Sequence, residues 1–285
     1  AVSAAVPYIM GANIGTSITN TIVSMGHIGE KIEFKRAFSA SIVHDFFNIL
    51  SVTILFPLEI LFGIISKSGI WLSSILVGSA EISFNSPIKL LTKPSVNFFK
   101  ELTDNQQIMN ENFLLLLLAI FFLFFSLRNL TKLIKSLVMF KLETFFDTHI
   151  FKTTIRAMLF GILITFLVQS SSITTSLVVP LAGAGILKLR QIFPYTLGAN
   201  IGTTMTSILA SLATGTIQSL SVAFGHLLFN IFGIVLIWPI PQLRNIPIKL
   251  ASQFAEIATQ NKVYPFLYIV IVFFIIPLTL ISIVR

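Results

Sequence analysis

The chain has 285 residues, 55% hydrophobic and 11% charged, with 28 phenylalanines, no cysteine and a formal net charge of +8; its mean hydropathy is +0.92. This composition excludes a soluble globular domain, and the lack of cysteine excludes disulfides, thiolate metal sites and cysteine nucleophiles. The basic residues are scattered between apolar segments with no face to collect them, which excludes nucleic acid as partner and fits a chain that sits in a lipid bilayer.

Taken in order, the chain opens at Ala1 with no initiator Met, signal peptide or basic leader, and reads as the interior of a longer protein. A first helix over 7–26 carries "PYIMGANIGTSIT", Pro7 to Thr19, and a connection containing Glu30 leads to a second helix over 37–66 with His44, Asp45, Asn48 and Pro57. Residues 67–111 form a loop, and a third apolar helix covers 112–131. Residues 150–187 are long enough for two crossings, but "QSSSITTS", Gln169 to Ser176, puts polar groups at the centre of one, and Pro180 and "GAG" at Gly183 to Gly185 interrupt the other. This spacing predicts a re-entrant helical hairpin with the polar cluster at its tip, an arrangement tolerated at membrane depth only where it lines protein or a water cavity.

Helices follow over 192–213, 217–240 and 262–284, each near the length that spans a bilayer. The first of these opens with "PYTLGANIGTTMT", identical to the earlier segment at nine of thirteen positions and at a constant offset of 187. His226, Asn230 and Pro239 match His44, Asn48 and Pro57 at a constant offset of 182, so the first copy carries a five-residue insertion around Gly26 to Lys35. The chain contains a duplicated membrane unit. The partner of "QSSS" at the same offset falls upstream of Ala1.

A hairpin that enters and leaves on one side makes the loops alternate, with fourteen Lys and Arg on one face and five on the other. The basic face is cytoplasmic by the positive-inside rule and 67–111 is external. Two crossings then separate the "GANIGT" helices, which makes the repeats inverted. The expected fold is an all-α polytopic membrane protein of two inverted-topology repeats: 1–111 holds the C-terminal part of the first repeat with the external loop, and 112–285 holds the second with the hairpin.

Inverted repeats with broken helices meeting near the midplane are the architecture of secondary transporters. A half-helix starting after Gln169 points its N–H groups at the cavity, so an anion belongs there. Hydroxyls of Ser170, Ser171, Ser172, Thr174 and Thr175 suit a tetrahedral oxyanion; bonding back to carbonyls one turn earlier would account for one or two of them. No Lys or Arg lies between Ala157 and Leu187 to neutralise it. Bound cations meet that need, with Gln169, Asn200, Thr203, Thr206 and freed carbonyls as hard oxygen ligands for an alkali ion. Gly11, Gly15, Gly198 and Gly202 serve either this site or close helix packing. Asp45 is an intramembrane carboxylate, expensive unless used; His44 and His226 fit hydrogen bonding or packing. An intramembrane hydrolase using a serine of 170–172 with either histidine is the rival of another class.

Together "QSSS", two copies of "GANIGT", "HDFFNILSVTILFPLEI" and "HLLFNIFGIVLIWPIPQL" resemble the type II sodium/phosphate cotransporters over nearly the whole chain. The resemblance implies sodium-coupled symport of inorganic phosphate by alternating access, with no cofactor and no enzymatic step, in the cell membrane. It implies phosphate at Gln169, Ser170, Ser171 and Ser172, and sodium at Thr21, Glu30 and Asn48 in one site and at Gln169, Ser170, Thr203 and Thr206 in another. A phosphate exporter of the related family is the alternative. His27 and Glu30 stand where the family has Gln and Asp. An acid at Asp45 goes with electrogenic members and charge coupling, whereas Ser39 and Ser41 match electroneutral ones. Absence of the animal proteins' loop cysteines fits a bacterial member.

Overall fold

The computed structural model describes residues 2–78, 150–214, 216–276 and 278–279, with isolated positions between 93 and 121. The expected helix 112–131 and most of the expected loop 67–111 lie outside the described residues. Those described form helices α1 (Val2–Gly15), α2 (Ile18–Ser24), α3 (Lys31–Phe62), α4 (Ile64–Gly78), α5 (Thr154–Val168), α6 (Ser171–Gly183), α7 (Leu189–Thr214), α8 (Ile217–Ile237), α9 (Pro241–Ala258) and α10 (Val263–Val270), the last continuing into a π turn at Ile271–Ile275. No strand occurs among them. α3 and α8 are long and apolar enough to cross a bilayer, and Ile155, Leu159, Leu163 and Leu167 on α5 point outward, as lipid-facing side chains do.

α3 organises the fold. Phe34, Phe38 and Ile42 recur at helical spacing on one buried face and pack with Ala251, Ala255 and Ala258 of α9. The three alanines let the α9 backbone approach closely, and Phe193, Leu197 and Ile237 close the same cluster. α3 ends where Gly63 adopts φ 63°, a left-handed conformation natural to glycine. The buried carboxylate of Glu59 then accepts from the α4 amides of Ile65 at 2.7 Å and Ser66 at 3.3 Å, so the chain restarts as a helix at once.

α5 and α7 are held together by missing side chains. A Cβ at Gly161 would strike the Tyr195 carbonyl, one at Gly198 the Met158 carbonyl, and one at Gly202 would lie 2.7 Å from Thr165 Cβ. Residue numbers rise together along both helices, which therefore run parallel, backbone against backbone, as small residues permit in membrane bundles. α6 runs back between them in sequence.

Three expected boundaries differ. The helix expected over 7–26 is two, α1 and α2, because the Asn20 amide bonds to the Ser17 carbonyl at 3.0 Å and leaves the Thr16 carbonyl to the Ser172 hydroxyl at 3.1 Å. The second copy runs unbroken as α7. The helix expected over 37–66 stops at Phe62, and α4 occupies residues 64–78, where the loop was expected to begin; Ser73 and Ser221 tie it to α8 through a 2.6 Å hydroxyl pair. Finally, 241–258 is not a connection but α9, whose Arg244, Lys249 and Glu256 dilute its hydropathy while its alanine face meets α3.

Candidate functional site

The hairpin tip is a two-residue break between α5 and α6. Gln169 has φ 57°, and among the described residues no other non-glycine has positive φ; its amide bonds to the Thr165 carbonyl at 2.7 Å. Ser170 is extended and caps α6, its oxygen accepting from the Ile173 amide at 3.3 Å. Strain of this kind at a polar tip needs surrounding support, and the support is visible one turn on. Thr165 and Thr174 share a 2.8 Å hydroxyl bond, and the buried Tyr195 hydroxyl donates to the Thr174 carbonyl at 2.9 Å.

The hydroxyls divide into two groups. Ser172 donates to the Thr16 carbonyl, and Thr175 and Ser176 reach Asn20 Oδ1 at 2.9 Å, joining α6 to the break between α1 and α2. Thr174 and Thr175 also bond back to the Ser170 and Ser171 carbonyls. These two threonines, expected as donors to an anion, hold the helix instead. The exposed Gln169 side chain, the Ser170 O–H and the Ser171 hydroxyl keep donors free for a ligand.

The first expected sodium set is not assembled. Glu30 is exposed just before α3, whereas Asn48 is buried eighteen residues along that unbroken helix, a separation of about 27 Å at 1.5 Å per residue. One rigid helix cannot bring both to one ion. Thr21 is buried, its hydroxyl bonded back to the Ser17 carbonyl at 3.4 Å. In the second set, Thr165 touches Gly202; Gln169 and Thr206 each follow four residues later on parallel helices, so they reach the same level. Thr206 Oγ1 is buried without a partner, while Thr203 bonds back to the Ala199 carbonyl.

Asn48 and Asn200 belong to a buried network. His44 Nε2 donates to Asn200 Oδ1 at 2.6 Å, Asn200 Nδ2 donates to Asn48 Oδ1 at 3.2 Å, and Asn48 Nδ2 donates to the Asn13 carbonyl at 2.7 Å. His226 Nε2 faces Asn13 Oδ1 at 3.4 Å, and Asn230 Nδ2 donates to the Asn200 carbonyl at 3.4 Å. Each histidine thus reaches the asparagine in the opposite copy of "GANIGT". The histidines serve hydrogen bonding as expected, and in these bonds neither meets a hairpin serine. Asn13 was legible through its equivalence to Asn200 yet is not marked by its type alone. A cavity of about 600 Å³ opens beside this network between α1, α7 and α8, lined by Ile9, Ser207, Ser211, Gln218, Ser219 and His226.

Asp45 is fully buried, and its Oδ2 accepts from the Tyr268 hydroxyl at 2.6 Å. Tyr268 carries no signal in the sequence. Outside the bundle, Lys35 pairs with Glu256 across α3 and α9 and holds that carboxyl below its ordinary range.

Buried polar side chains linking broken helices, under an apolar exterior, fit a helical membrane protein. Residues 121–240 match the family model described as Na+/Pi-cotransporter. The chain is 33% identical over 367 residues to the human sodium-dependent phosphate transport protein 2B, covering 98% of this chain and 53% of that protein. It is 32% identical over 346 residues to protein 2A of Rattus norvegicus, covering 97% of this chain and 54% of that one. The chain spans about half the length of the curated relatives it matches. No solved structure matches.

Proposed function

We propose that the protein containing this chain carries inorganic phosphate across the cell membrane together with sodium, by alternating access at the interface of two inverted repeats. The observation that carries the reading is the tip itself: Gln169, Ser170 and Ser171 keep donors free at a helix start with no basic residue between Ala157 and Leu187. An anion of one to two negative charges is costly in that setting. Sodium at Gln169, Thr206 and nearby carbonyls, and at Asp45 for charge coupling, offsets the cost, so each ion stabilises the other.

The repeat reading draws support from the reciprocal histidine–asparagine bonds and from the glycines. A Cβ at Gly198 or Gly202 would strike α5, whereas one at the equivalent Gly11 or Gly15 would meet no atom of the described residues within 4 Å outside its own helix turn. The same helix surface is used in one copy and open in the other, as it is when a second hairpin, equivalent to α5 and α6, covers α1 in the full-length protein. In this reading the α5–α6 hairpin is re-entrant, the basic loops are cytoplasmic and the segment after α4 is external.

The test is radiolabelled phosphate uptake by the full-length protein in proteoliposomes. Uptake collapses when potassium replaces sodium; undiminished uptake in potassium refutes the coupling.

A further inference from the structure

Tyr268 lies on α10, beyond the segments that match between the two copies, yet its hydroxyl is 2.6 Å from Asp45 Oδ2. Its ring is gripped by aromatic neighbours, with centroids 5.8 Å from Phe38, 6.2 Å from Phe254 and 6.1 Å from Phe273. The hydroxyl therefore has a fixed position. A single donor on one oxygen sets the plane of the carboxylate and turns the other oxygen in a defined direction.

That other oxygen, Oδ1, is buried without a partner. The Ser17 hydroxyl lies beside the same carboxylate, and its one hydrogen is shared between that carboxylate and the Ile14 carbonyl at 3.1 Å. Neither ion pair among the described residues involves Asp45. A buried carboxylate without a counter-charge is costly, and a carboxylate oxygen without a partner next to a hydroxyl oxygen offers the hard oxygen ligands an alkali cation takes. The donor set fits sodium as cargo.

We propose that Tyr268 is a positioning residue for sodium at Asp45: its hydrogen bond to Oδ2 aims Oδ1 at the ion, so that α10 sets the sodium affinity of the charge-coupling step. The proposal rests on the reading of Asp45 as a sodium ligand. Groups that orient a ligating side chain commonly matter 10- to 100-fold in metal affinity, and for one hydroxyl the low end applies.

Purified full-length protein carrying Tyr268→Phe, which keeps the ring and its packing, tests this. Half-saturating sodium is read from sodium-dependent thermal stabilisation and, independently, from sodium activation of phosphate uptake. Tyr268→Phe is expected to raise it about tenfold in both, with half-saturating phosphate at saturating sodium unchanged. Asp45→Asn is expected to remove this sodium dependence, and Tyr268→Phe to add nothing in the Asp45→Asn background. If Asp45→Asn shifts the sodium response but Tyr268→Phe does not, the role of Tyr268 is overturned while that of Asp45 stands. If Asp45→Asn leaves the sodium response untouched, the reading of Asp45 falls and the proposal with it. A Tyr268→Phe effect that persists undiminished without the carboxylate overturns positioning in favour of packing. Should Asp45→Asn not fold, Asp45→Ser replaces it in the cycle.

Discussion

Replacing Asn200 by alanine separates the two halves of the buried network in a way that its counterpart Asn13 does not. Asn200 accepts from His44 at 2.6 Å and donates to Asn48 at 3.2 Å. Its removal takes away the acceptor of the buried His44 Nε2, leaving that nitrogen only Asn48 Nδ2 at 3.2 Å, and orphans the Asn48 amide oxygen; the Nδ1 of the same histidine already lacks a partner. At about 1–3 kcal/mol for each of the two groups, the variant should lose roughly 2–6 kcal/mol. Asn13→Ala forfeits only the 3.4 Å contact with His226 and a bond back to the Ile9 carbonyl, because Asn48 is bound to the Asn13 backbone, which survives. About 1 kcal/mol is expected there. Denaturant unfolding of the full-length protein in mixed micelles, without sodium, measures both. A double-mutant cycle between His44→Ala and Asn200→Ala should give a coupling of at least about 1 kcal/mol. Equal losses for the two asparagines, or no coupling in the cycle, would refute the asymmetry assigned to this interface.

The glycines give a test of the repeats. Gly198→Val should abolish folding or transport because its side chain meets the Met158 backbone, and Gly11→Val should be comparably damaging in the full-length protein; a harmless Gly11→Val, judged by uptake and melting, contradicts the second hairpin. At the tip, Ser171→Ala should weaken phosphate binding by about 1 kcal/mol, roughly fivefold in half-saturating phosphate. Thr175→Ala, whose hydroxyl is spent on Asn20 and the Ser171 carbonyl, should lower the melting temperature and leave phosphate affinity within about twofold. The reverse pattern in uptake kinetics would mean that the two groups of hydroxyls have been exchanged.

By itself the sequence determined what depends on composition and short-range order. Apolar runs of bilayer length require helices, since backbone groups in lipid must be paired within the segment, and seven polar residues among eight inside such a run marked the break at Gln169. The duplication was legible because two identical stretches keep constant offsets, and it pointed to His44, Asn200 and Asn48 by equivalence. Tertiary structure decided everything that turns on which surfaces meet. α9 was hidden because its charged residues mask its hydropathy, and its small face has meaning only against the aromatic face of α3. Thr174 and Thr175 look like ligand donors until the carbonyls they bond are located. Glu30 and Asn48 are near in the chain, yet an unbroken helix holds them apart. The Tyr268 bond to Asp45 spans 223 positions, and no pattern of residue type or spacing encodes a contact that exists only once α10 has packed against α3.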